Sequence, residues 1–577
     1  MPSQAALAPV LALVSEASGA DLDVAAPIVV LKFGSSILRS PADAPAVASA
    51  VYAHVRAGRR VVAVVSAFGG QTDRLLADAR GLGLAHENDL LPGYVALGEE
   101  KAAALVAIAC DRIGLDAAAL SVRELGVVAE GPAEHARPSG LRGEALRAAL
   151  DRHQAVIVPG FGAVRPDGRL ALLGRGGSDL TAVFLAAELG LDKVRLVKDV
   201  DGLYDHDPKA PGAPAQRYRR IDWDGARRLG GQLVQRDAID LGQDRAVEIE
   251  IAALDRAEGT VIGARSAPPG PAPVHAPIRV AVAGCGVVGG GAISRLLNDP
   301  RFAVVGVLVR DPAKARDIDC PADLFVSDPA DLLAKTPDVV LEALSDGAAG
   351  HALIRAALEA GCDVASANKQ AVAADPAGLL ALAEERGRKL FWSASVGGGS
   401  PMIETVRAAR AAGPIAAFEA VLNGTCNFML ERLGQGAAFD EALADARAAG
   451  FAEEDPSSDL EGHDSAAKVR LLAFEAFGRA PDDVSKAVLS PSTPVGPHVR
   501  QIGACRADGE GLSASVALDP DCAEPLFRDL KGERNALRVV GADGRVWRCR
   551  GRGAGRWATT ESLLADLADI ARARHGE

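Results

Sequence analysis

Short apolar runs rich in valine and isoleucine alternate with longer Ala- and Leu-rich segments over the first 263 residues. The apolar runs at 28–32, 60–66, 155–159 and 194–197 have the length and β-branched content of buried strands. The segments between them have helical spacing, and this alternation predicts an α/β layer with a largely parallel sheet. We expect residues 1–26, which precede the first strand, to form a weakly ordered leader or a single helix.

A proline-rich stretch at 266–276 separates this region from a second alternating block. Its prolines and glycine predict a stiff linker between two domains. The second block begins with the strand-like I-R-V-A-V-A-G at 278–284, and a polar, strand-like region follows near 534–550. A last run, at 559–574, has the spacing of an amphipathic helix. The pattern therefore predicts a multidomain α/β chain.

Composition narrows the class of protein. A length of 577 residues allows about three or four domains. The net charge is −13 and no long basic cluster occurs, which argues against nucleic acid or an anionic membrane as partners. The eight cysteines are scattered without a C-x-x-C pair, as suits a reducing cytoplasm. The sequence also has no signal-peptide pattern and no uncharged apolar run of the length that spans a bilayer, so we predict a cytoplasmic protein.

Three loops of the first block carry groups suited to an anionic ligand. K-F-G-S-S at 32–36 places a lysine beside small residues whose backbone N–H groups suit a polyphosphate. L-G-R-G-G-S-D-L-T-A at 173–182 precedes a helix and contains an arginine able to pair bidentately with a carboxylate. K-D-V-D-G-L-Y-D-H-D-P at 198–208 supplies acids for magnesium or a ribose. Each could be an ordinary turn when taken alone, but their joint order favours a nucleotide site.

These motifs resemble the amino-acid kinase family, and specifically the aspartokinases. The matching segments are K-F-G-S-S at 32–36, V-V-S-A-F-G-G-Q-T-D-R-L-L at 64–76, G-E at 98–99, G-R-G-G-S-D at 174–179 and D-V-D-G at 199–202. The resemblance implies an amino-acid-kinase α/β sandwich over 27–265 that uses ATP with Mg²⁺. It implies that Lys32 contacts the ATP phosphates and stabilises the transferring phosphoryl group. The other residues that it assigns to this site are Asp179 as a catalytic residue, Ser36, Glu99 and Arg175 for aspartate, and Asp199 for the nucleotide.

The kinase-like region also departs from the family pattern. Ser35 and Ile37 stand where the family has a glycine and a serine, and G-Q-L-V-Q-R-D-A-I at 231–239 replaces the family's G-A-K-V-L-H-P-R-T. These departures leave open an alternative in which this region is a catalytically silent oligomerisation module. The regulatory domains that usually follow an aspartokinase have no counterpart before the linker.

The second block opens with a dinucleotide-binding pattern. G-C-G-V-V-G at 284–289 fits G-x-G-x-x-G, follows a strand and opens a helical run, which is the context that a nucleotide site requires. Arg310 ends the second strand, and Lys314 is near it in sequence. An acid at that position would accept the ribose hydroxyls of NAD, whereas an arginine suits the 2′-phosphate of NADP. We therefore favour NADP(H) and leave NAD(H) open.

Three further motifs carry polar groups beyond this loop. Asn368 and Lys369 end a strand, at the sheet edge where open α/β folds bind ligands. S-A-S-V-G-G-G-S-P at 393–401 forms a Gly-rich turn whose carbonyls could surround a substrate or a small cation. An acidic stretch then ends in Asp464 and Lys468, and their spacing of four puts both side chains on one helix face. A solvated acidic loop with an ordinary ion pair is the alternative for that stretch alone.

Residues from about 277 to the end resemble homoserine dehydrogenase. Besides the dinucleotide loop, the matching segments are A-N-K at 367–369, V-G-G-G-S-P at 396–401, N-G-T-C-N-F at 423–428, G-F-A-E-E-D-P-S-S-D-L-E-G-H-D-S-A-A-K at 450–468 and G-R-G-A-G-R-W-A-T-T-E at 551–561. The resemblance implies a Rossmann domain over 277–412 and an α+β substrate and dimerisation domain over 413–550. It also implies that the C-terminal segment, 551–577, returns to the nucleotide domain.

This second resemblance assigns roles to individual residues. Lys468 would supply a proton or positive charge, Asp464 would orient it, and Lys369 is the second candidate. The residues implied to hold homoserine are Glu453, Asp459 and Thr425. Those implied to contact the cofactor are Gly284, Gly286, Val287, Val288, Gly289, Arg310, Lys314, Ser345, Asn368, Lys369 and Gly553. A structural Na⁺ or K⁺ site is implied at Ser393, Val396, Gly398 and Ser400, although the family usually has an acid where Ser393 stands.

Together the two halves resemble the bifunctional aspartokinase–homoserine dehydrogenases. The resemblance implies phosphorylation of L-aspartate to 4-phospho-L-aspartate, and NAD(P)H-dependent reduction of L-aspartate 4-semialdehyde to L-homoserine. The alternative is a homoserine dehydrogenase that carries a silent kinase-like module. Small-molecule substrates are the expected partners, and a homodimer or homotetramer is the expected assembly.

Overall fold

A computed structural model describes most of the chain as two compact units. The N-terminal unit is Ala26–Val274, and the C-terminal unit is His275–Gly576 with the described part of Met1–Ala25. The predicted multidomain α/β class is confirmed. The described residues are 22–83, 88–174, 176–211, 213–229, 233–254, 256–493, 495–509 and 511–576.

The N-terminal unit is built on an eight-stranded sheet in which one neighbouring pair is antiparallel and the others are parallel. The strands Arg60–Val65 and Ala155–Pro159 are nearly continuous runs of buried Val, Ile and Ala because helices cover both faces of a parallel sheet. The four strands predicted from apolar runs all lie in this sheet. In spatial order its strands are Arg220–Asp222, Thr260–Gly263, Glu248–Ala253, Lys193–Lys198, Ile28–Phe33, Arg60–Val65, Ala155–Pro159 and Ala117–Ala119.

Helices and two small sheets complete the N-terminal unit. The α-helices are Ala44–Arg56, Gln71–Gly81, Leu91–Arg112, Val122–Leu125, Glu144–Arg152, Gly177–Glu188, Trp223–Leu229 and Arg236–Asp244. A four-stranded sheet has the order Arg137–Leu141, Val127–Glu130, Gly162–Val164 and Leu170–Leu172. Gly270–Pro271 pairs with Gln216–Arg217 as a two-stranded ribbon. Part of the stretch predicted to be a linker, 266–276, is therefore fixed to the N-terminal unit by backbone hydrogen bonds.

The C-terminal unit contains a six-stranded parallel sheet with the 3-2-1-4-5-6 order of a dinucleotide-binding fold. In spatial order its strands are Phe325–Val326, Phe302–Leu308, Ile278–Ala283, Val339–Glu342, Asp363–Ser366 and Leu390–Phe391. The α-helices of this region are Val287–Leu296, Pro329–Ala334, Gly347–Glu359, Lys369–Ala373 and Pro376–Glu385. The strand order reverses between Ile278–Ala283 and Val339–Glu342, so a crevice for a ligand opens at the carboxyl ends of these two strands.

A second, seven-stranded sheet is mainly antiparallel. In spatial order its strands are Leu22–Asp23, Arg545–Arg552, Arg534–Gly541, Ile415–Val421, Arg500–Asp508, Gly511–Asp519 and Ser485–Lys486. The associated α-helices are Met402–Ala412, Gly424–Gly434, Phe439–Ala448, Ser457–Leu460, His463–Phe477, Pro525–Arg528 and Arg556–His575. The edge strand Leu22–Asp23 corrects the predicted leader at its described end, where Val24 N also donates to Val546 O at 3.0 Å. Residues 1–21 of that leader lie outside the described part.

The two large sheets of the C-terminal unit share one hydrophobic core. A single cluster of buried side chains includes Ala281 from the parallel sheet, Phe418 from the mixed sheet and Leu472 from the helix between them. The last helix, Arg556–His575, packs beside Val287–Leu296, where Thr560 Oγ1 donates to Val288 O at 3.2 Å. The residues predicted to form separate domains at 277–412 and 413–550 thus belong to one compact unit.

Candidate active sites

Asp464 lies in the first turn of the helix His463–Phe477, between two lysine side chains. Because Lys468 follows one helical turn later, its Nζ lies 2.8 Å from Asp464 Oδ2. Lys369, the first residue of the helix Lys369–Ala373, donates to the other oxygen of the same carboxylate. Burial raises the pKa of Asp464, but the two ammonium groups outweigh burial and hold that pKa well below its usual value. The carboxylate is therefore ionised, and the three groups together carry one excess positive charge.

The ammonium group of Lys468 retains a donor for a ligand. Lys468 is 8% exposed, and its Nζ also donates to Leu422 O at 2.7 Å. In the described part of the chain these two acceptors account for two of the three N–H donors that an ammonium carries. A substrate oxygen that enters the cluster can accept the third.

Asn423 connects the N-G-T turn to the acidic stretch. Its Nδ2 donates to Asp459 Oδ1 at 2.7 Å and to Asp464 Oδ2 at 2.9 Å. Its Oδ1 accepts from Cys426 N at 2.8 Å and so caps the helix Gly424–Gly434. The predicted substrate residue Asp459 is thereby brought to the Asp464–Lys468 pair.

The other two predicted substrate residues are placed differently. Thr425 is buried, and its hydroxyl donates to Phe451 O at 2.6 Å, which leaves only its lone pairs for a ligand. Glu453 is exposed on the loop before Ser457–Leu460. No described hydrogen bond or ion pair links the Glu453 side chain to the cluster.

The predicted dinucleotide loop has the close approaches that its glycines were expected to permit. Gly284 has φ of +95°, and a Cβ on it would lie 2.4 Å from Ala343 O, across the crevice between the two central strands. A Cβ on Gly289 would lie 2.0 Å from Gly284 O. By contrast, a Cβ on Gly286 would point into open space, directly before the helix that Val287 begins. No side chain therefore covers the backbone of Gly286 at the helix N-terminus, which suits the approach of a pyrophosphate.

The remaining predicted cofactor residues follow strands of the parallel sheet. Arg310 and Lys314 come after Phe302–Leu308, and both side chains are exposed. Ser345 is exposed after Val339–Glu342, and Val288 lies half-buried in the first turn of the helix that follows the Gly-rich loop. All four therefore lie at the carboxyl edge of the sheet, where a dinucleotide binds.

Asn368 holds the turn that carries Lys369. Its Nδ2 donates to Glu342 Oε1 at 3.2 Å, while its Oδ1 accepts from Ala371 N at 3.2 Å and caps the short helix. Glu342 is fully buried, and its Oε2 also accepts from Ser366 Oγ at 2.6 Å. Burial raises the pKa of Glu342, although these donors oppose it. The amide of Asn368 thus orders the protein itself, and Lys369 is the group presented to the site.

The predicted cation residues lie in one buried turn. Val396 is fully buried, and Ser393 and Ser400 are each 2% exposed. Gly398 has φ of +55°, and a Cβ on it would lie 2.8 Å from Gly553, the predicted return point of the C-terminal segment. The described residues contain no group of three or more His, Cys, Asp or Glu side chains arranged to hold a metal ion. A cation here would therefore rely on hydroxyl and carbonyl oxygens.

The N-terminal unit has a second aspartate between two lysines. Lys32 and Lys198 lie at the carboxyl ends of the neighbouring parallel strands Ile28–Phe33 and Lys193–Lys198. Lys32 Nζ lies 2.6 Å from Asp179 Oδ1, and Lys198 Nζ lies 2.8 Å from Asp179 Oδ2. Burial raises the pKa of Asp179, but the two lysines outweigh burial and lower it overall. Burial and the charge of Lys32 lower the pKa of Lys198 to about 8. This cluster also has one excess positive charge when both lysines are protonated.

Glu99 is buried beside this cluster, at 4% exposure. Its Oε1 accepts from Ser178 Oγ at 3.1 Å and from Ala67 N at 3.4 Å. Burial raises the pKa of Glu99 to about 7, against the opposing effect of these donors and of Lys32. The group can therefore be either a neutral acid or a carboxylate near neutral pH.

The other predicted kinase residues are less constrained. Ser36 and the neighbouring Ser35 are exposed in the turn after Ile28–Phe33, and Asp199 is exposed directly after Lys198. A Cβ on Gly34 would lie 2.7 Å from Lys32 Nζ, so this glycine makes room for the lysine. Arg175 lies outside the described residues.

Comparison with known proteins identifies the C-terminal half. A family model for the homoserine dehydrogenase NAD binding domain matches residues 284–393, and one for homoserine dehydrogenase matches 401–568. The homoserine dehydrogenase of Neisseria gonorrhoeae is 32% identical over 322 residues, which cover 51% of this chain and 73% of that protein. The chain belongs to the homoserine dehydrogenase family.

Other homoserine dehydrogenases are similarly related. That of Pseudomonas aeruginosa is 32% identical over 316 residues, which cover 52% of this chain and 73% of the relative. The crystal structure of a homoserine dehydrogenase from Thiobacillus denitrificans has 29% identity and a TM-score of 0.48, and covers 52% of this chain and 74% of its own. Among the described helices of this chain, none combines the length and the apolar character that crossing a membrane requires.

The N-terminal half matches the model of a different family. The model of the amino acid kinase family matches residues 27–253. One chain thus combines an amino acid kinase domain with both homoserine dehydrogenase domains, as expected for a bifunctional aspartokinase–homoserine dehydrogenase.

Sequence analysis did not assign three residues of these sites. Asn423 lies in the matched segment N-G-T-C-N-F and Lys198 begins the acidic loop 198–208, but neither was given a role of its own. Glu342 was not singled out at all. Lys198 had a signal, because it follows an apolar strand that is parallel to the strand of Lys32. The contacts of Asn423 and Glu342 join residues between 24 and 41 positions apart, which no local pattern marks.

Proposed function

We propose that the C-terminal unit catalyses the reversible reduction of L-aspartate 4-semialdehyde to L-homoserine with NAD(P)H. Bound NAD(P)H supplies the hydride to the carbonyl carbon. The observation that carries the proposal is the buried Asp464 between Lys369 and Lys468, each of which retains at least one N–H that no described acceptor takes. As negative charge develops on the carbonyl oxygen, an aligned ammonium group stabilises it and completes the reaction with a proton.

The roles within this site follow from the contacts. Lys468 donates to the carbonyl oxygen, and Asp464 holds its ammonium in place. Lys369 adds positive charge from the A-N-K turn. Asp459, with Glu453 and the lone pairs of Thr425, holds the amino and hydroxyl ends of the substrate. Of these three, Asp459 has the strongest structural support, because Asn423 fixes it beside Asp464.

The cofactor is proposed to be NADP(H), with NAD(H) as the alternative. Gly286 lies at the start of a helix and has no side chain, so it leaves room for a pyrophosphate. Gly284 has no Cβ either, which permits the close approach of its backbone to Ala343 in the same turn. Arg310 and Lys314 offer exposed cations at the edge where the 2′-phosphate would lie. The positive charge of these two exposed side chains supports NADP(H).

The dehydrogenase proposal is tested by adding the semialdehyde and either NADPH or NADH to the purified chain. We expect the absorbance of the reduced nicotinamide to fall and L-homoserine to accumulate in equal amount. Absence of turnover with both coenzymes would refute the proposal.

We further propose that the N-terminal unit phosphorylates L-aspartate with ATP. The bond between the γ-phosphorus and its bridging oxygen breaks, a side-chain carboxylate oxygen of aspartate bonds to phosphorus, and ADP leaves. Lys32 and Lys198 offer the excess positive charge that a transferring phosphoryl group requires, and Asp179 holds both lysines. Glu99, Ser36 and Arg175 are proposed to hold aspartate, and the Asp199 loop to hold the nucleotide with Mg²⁺.

The alternative is a homoserine dehydrogenase with a silent kinase-like module. The intact pair of lysines around Asp179 favours activity, since a purely structural module does not require two buried ammonium groups at one sheet edge. Trapping the acyl phosphate as aspartyl hydroxamate decides between them. Robust dehydrogenase turnover without ATP-dependent hydroxamate would establish the silent module.

Two assignments stay predictions. A Na⁺ or K⁺ at Ser393, Val396, Gly398 and Ser400 is supported by the buried oxygen donors there and by Asp566, whose Oδ2 accepts from Ser393 N at 3.0 Å. Replacing alkali salts by choline should lower dehydrogenase activity if the site is used. A cytoplasmic homodimer or homotetramer is likewise proposed, and light scattering of the purified chain would test the assembly.

A further inference from the structure

Asn423 lies where three elements of the C-terminal unit meet. It precedes the helix Gly424–Gly434, and its side chain also reaches Ser457–Leu460 and His463–Phe477. The residue is 4% exposed, so all of its side-chain contacts are with the protein or with a ligand in the site. None of the roles given above explains why an asparagine stands there.

The orientation of its amide is fixed by the helix cap. Because Asn423 Oδ1 accepts from Cys426 N, the NH₂ group must face the two carboxylates. The reversed amide would place an oxygen against Asp459 and Asp464 and an NH₂ against an N–H. Asparagine meets both demands, as a cap acceptor and as a double donor. Serine and aspartate can cap a helix equally well, but they cannot supply two donors to two carboxylates.

We propose that Asn423 is a positioning residue that couples the substrate carboxylate, Asp459, to the proton-donating pair of Asp464 and Lys468. This inference rests on the proposed dehydrogenase function. One N–H fixes Asp459 for the substrate, and the other holds the same oxygen of Asp464 that Lys468 contacts. The two ends of the substrate are thereby held at a fixed distance from each other.

Loss of these donors has two separate effects. Asp459, which is partly exposed, loses its described side-chain donor and rotates away from the substrate, which raises KM. Asp464 keeps its ion pairs with both lysines but loses the donor that fixes Oδ2. The ammonium group of Lys468 is then less well aligned with the carbonyl oxygen of the substrate, so kcat falls. A misplacement of about 1 Å can lower a rate about a hundredfold.

The test compares Asn423→Ser with Asn423→Asp, because both replacements retain a helix-cap acceptor. Asp375→Ser is the control, since Asp375 caps Pro376–Glu385 through Gly378 N, is exposed and has no place in the proposed site. We expect Asn423→Ser to lower kcat by about tenfold to a hundredfold and to raise the KM of the semialdehyde. The KM of the coenzyme should not change, and the control should match the wild type.

The pH dependence of the two variants separates positioning from a structural role. In Asn423→Asp a third carboxylate faces those of Asp459 and Asp464. The loss of kcat in this variant at mildly alkaline pH should therefore exceed the loss in Asn423→Ser. On acidification the new carboxyl gains a proton and can donate one hydrogen bond, so its kcat relative to the wild type should recover. Asn423→Ser has no titrating group and should show no recovery.

Two results would overturn the inference. The first is that both variants have a kcat and a semialdehyde KM within twofold of the wild type. The second is that kcat falls equally in both variants at every pH. If Asn423→Asp does not fold, the kcat and semialdehyde KM of Asn423→Ser decide the question by themselves. A wild-type chain that does not oxidise NAD(P)H with the semialdehyde refutes the proposed function instead, so the two failures are distinguishable.

Discussion

Replacing Lys468 by methionine should abolish most dehydrogenase activity while leaving the fold nearly as stable. Methionine keeps the length and apolar stem of the side chain but removes the ammonium group. Both acceptors of Lys468 retain another donor, because Asp464 keeps Lys369 and Asn423, and Leu422 O keeps Asn535 Nδ2 at 3.0 Å. Breaking a buried ion pair usually costs about 3–5 kcal/mol when it leaves a charge unpaired. Since Asp464 stays paired, we expect a loss of about 1–2 kcal/mol in the free energy of unfolding.

The expected loss in catalysis is larger than the loss in stability. General acids contribute about 10²–10⁴-fold in rate, which corresponds to about 3–5 kcal/mol in the activation barrier. Steady-state oxidation of NADPH by the semialdehyde measures the rate, and urea unfolding of the same preparations measures the stability. Lys486→Met is a matched control, because Lys486 is exposed and the described hydrogen bond of its ammonium group is with the first residue of the same helix, through His463 Nδ1 at 2.9 Å. Turnover of Lys468→Met within threefold of the wild type would refute the assigned role.

Three further substitutions test the other assignments. Arg310→Ala should raise the KM of NADPH at least about tenfold and leave that of NADH nearly unchanged, because only NADPH carries the 2′-phosphate; an equal effect on both would contradict the NADP assignment. Glu99 has its pKa raised from 4.5 to about 7, so its protonated form stabilises the fold below about pH 4.5 and this contribution, up to about 3 kcal/mol, is lost as the pH rises through 7. In Glu99→Gln the free energy of unfolding, measured by urea titration, should therefore fall less steeply between about pH 5 and pH 8.5. An unchanged slope would exclude Glu99 as the source of this pH dependence. Lys198→Met should lower hydroxamate formation about a hundredfold, whereas Lys193→Met, at the partly exposed start of the same strand, should leave it within about twofold; equal effects would argue against a role for Lys198.

Local patterns predicted those parts of the fold and sites that depend on local geometry. The strands at 28–32 and 194–197 were found from their apolar runs, and the structure extends each by one or two residues. The contact between Asp464 and Lys468 follows from their spacing on a helix. The glycines of the dinucleotide loop were likewise predictable, because G-x-G-x-x-G has a fixed backbone requirement.

Contacts between distant segments were not predictable in the same way. Lys369 and Asp464 are 95 positions apart, and only the packing of two helices brings them together. The edge strand Leu22–Asp23 was missed because a strand of two residues has no readable period, and its partner Arg545–Arg552 lies at the other end of the chain. The pairing of Gly270–Pro271 was missed because prolines at a sheet edge look like a linker in sequence.

The two candidate sites share one electrostatic arrangement on unrelated folds. Each holds a buried aspartate between two lysines, which leaves one excess positive charge for an oxygen that becomes more negative during the reaction. An asparagine in place of the aspartate would leave two buried ammonium groups facing each other without a carboxylate between them. One of the two would then release its proton at a lower pH than it does beside the aspartate. Asp464→Asn should therefore lower kcat about a hundredfold at neutral pH, and acidification should restore part of it by reprotonating that lysine. A pH profile of kcat for this variant measures the effect, and a loss of equal size at every pH would show that Asp464 acts through geometry alone.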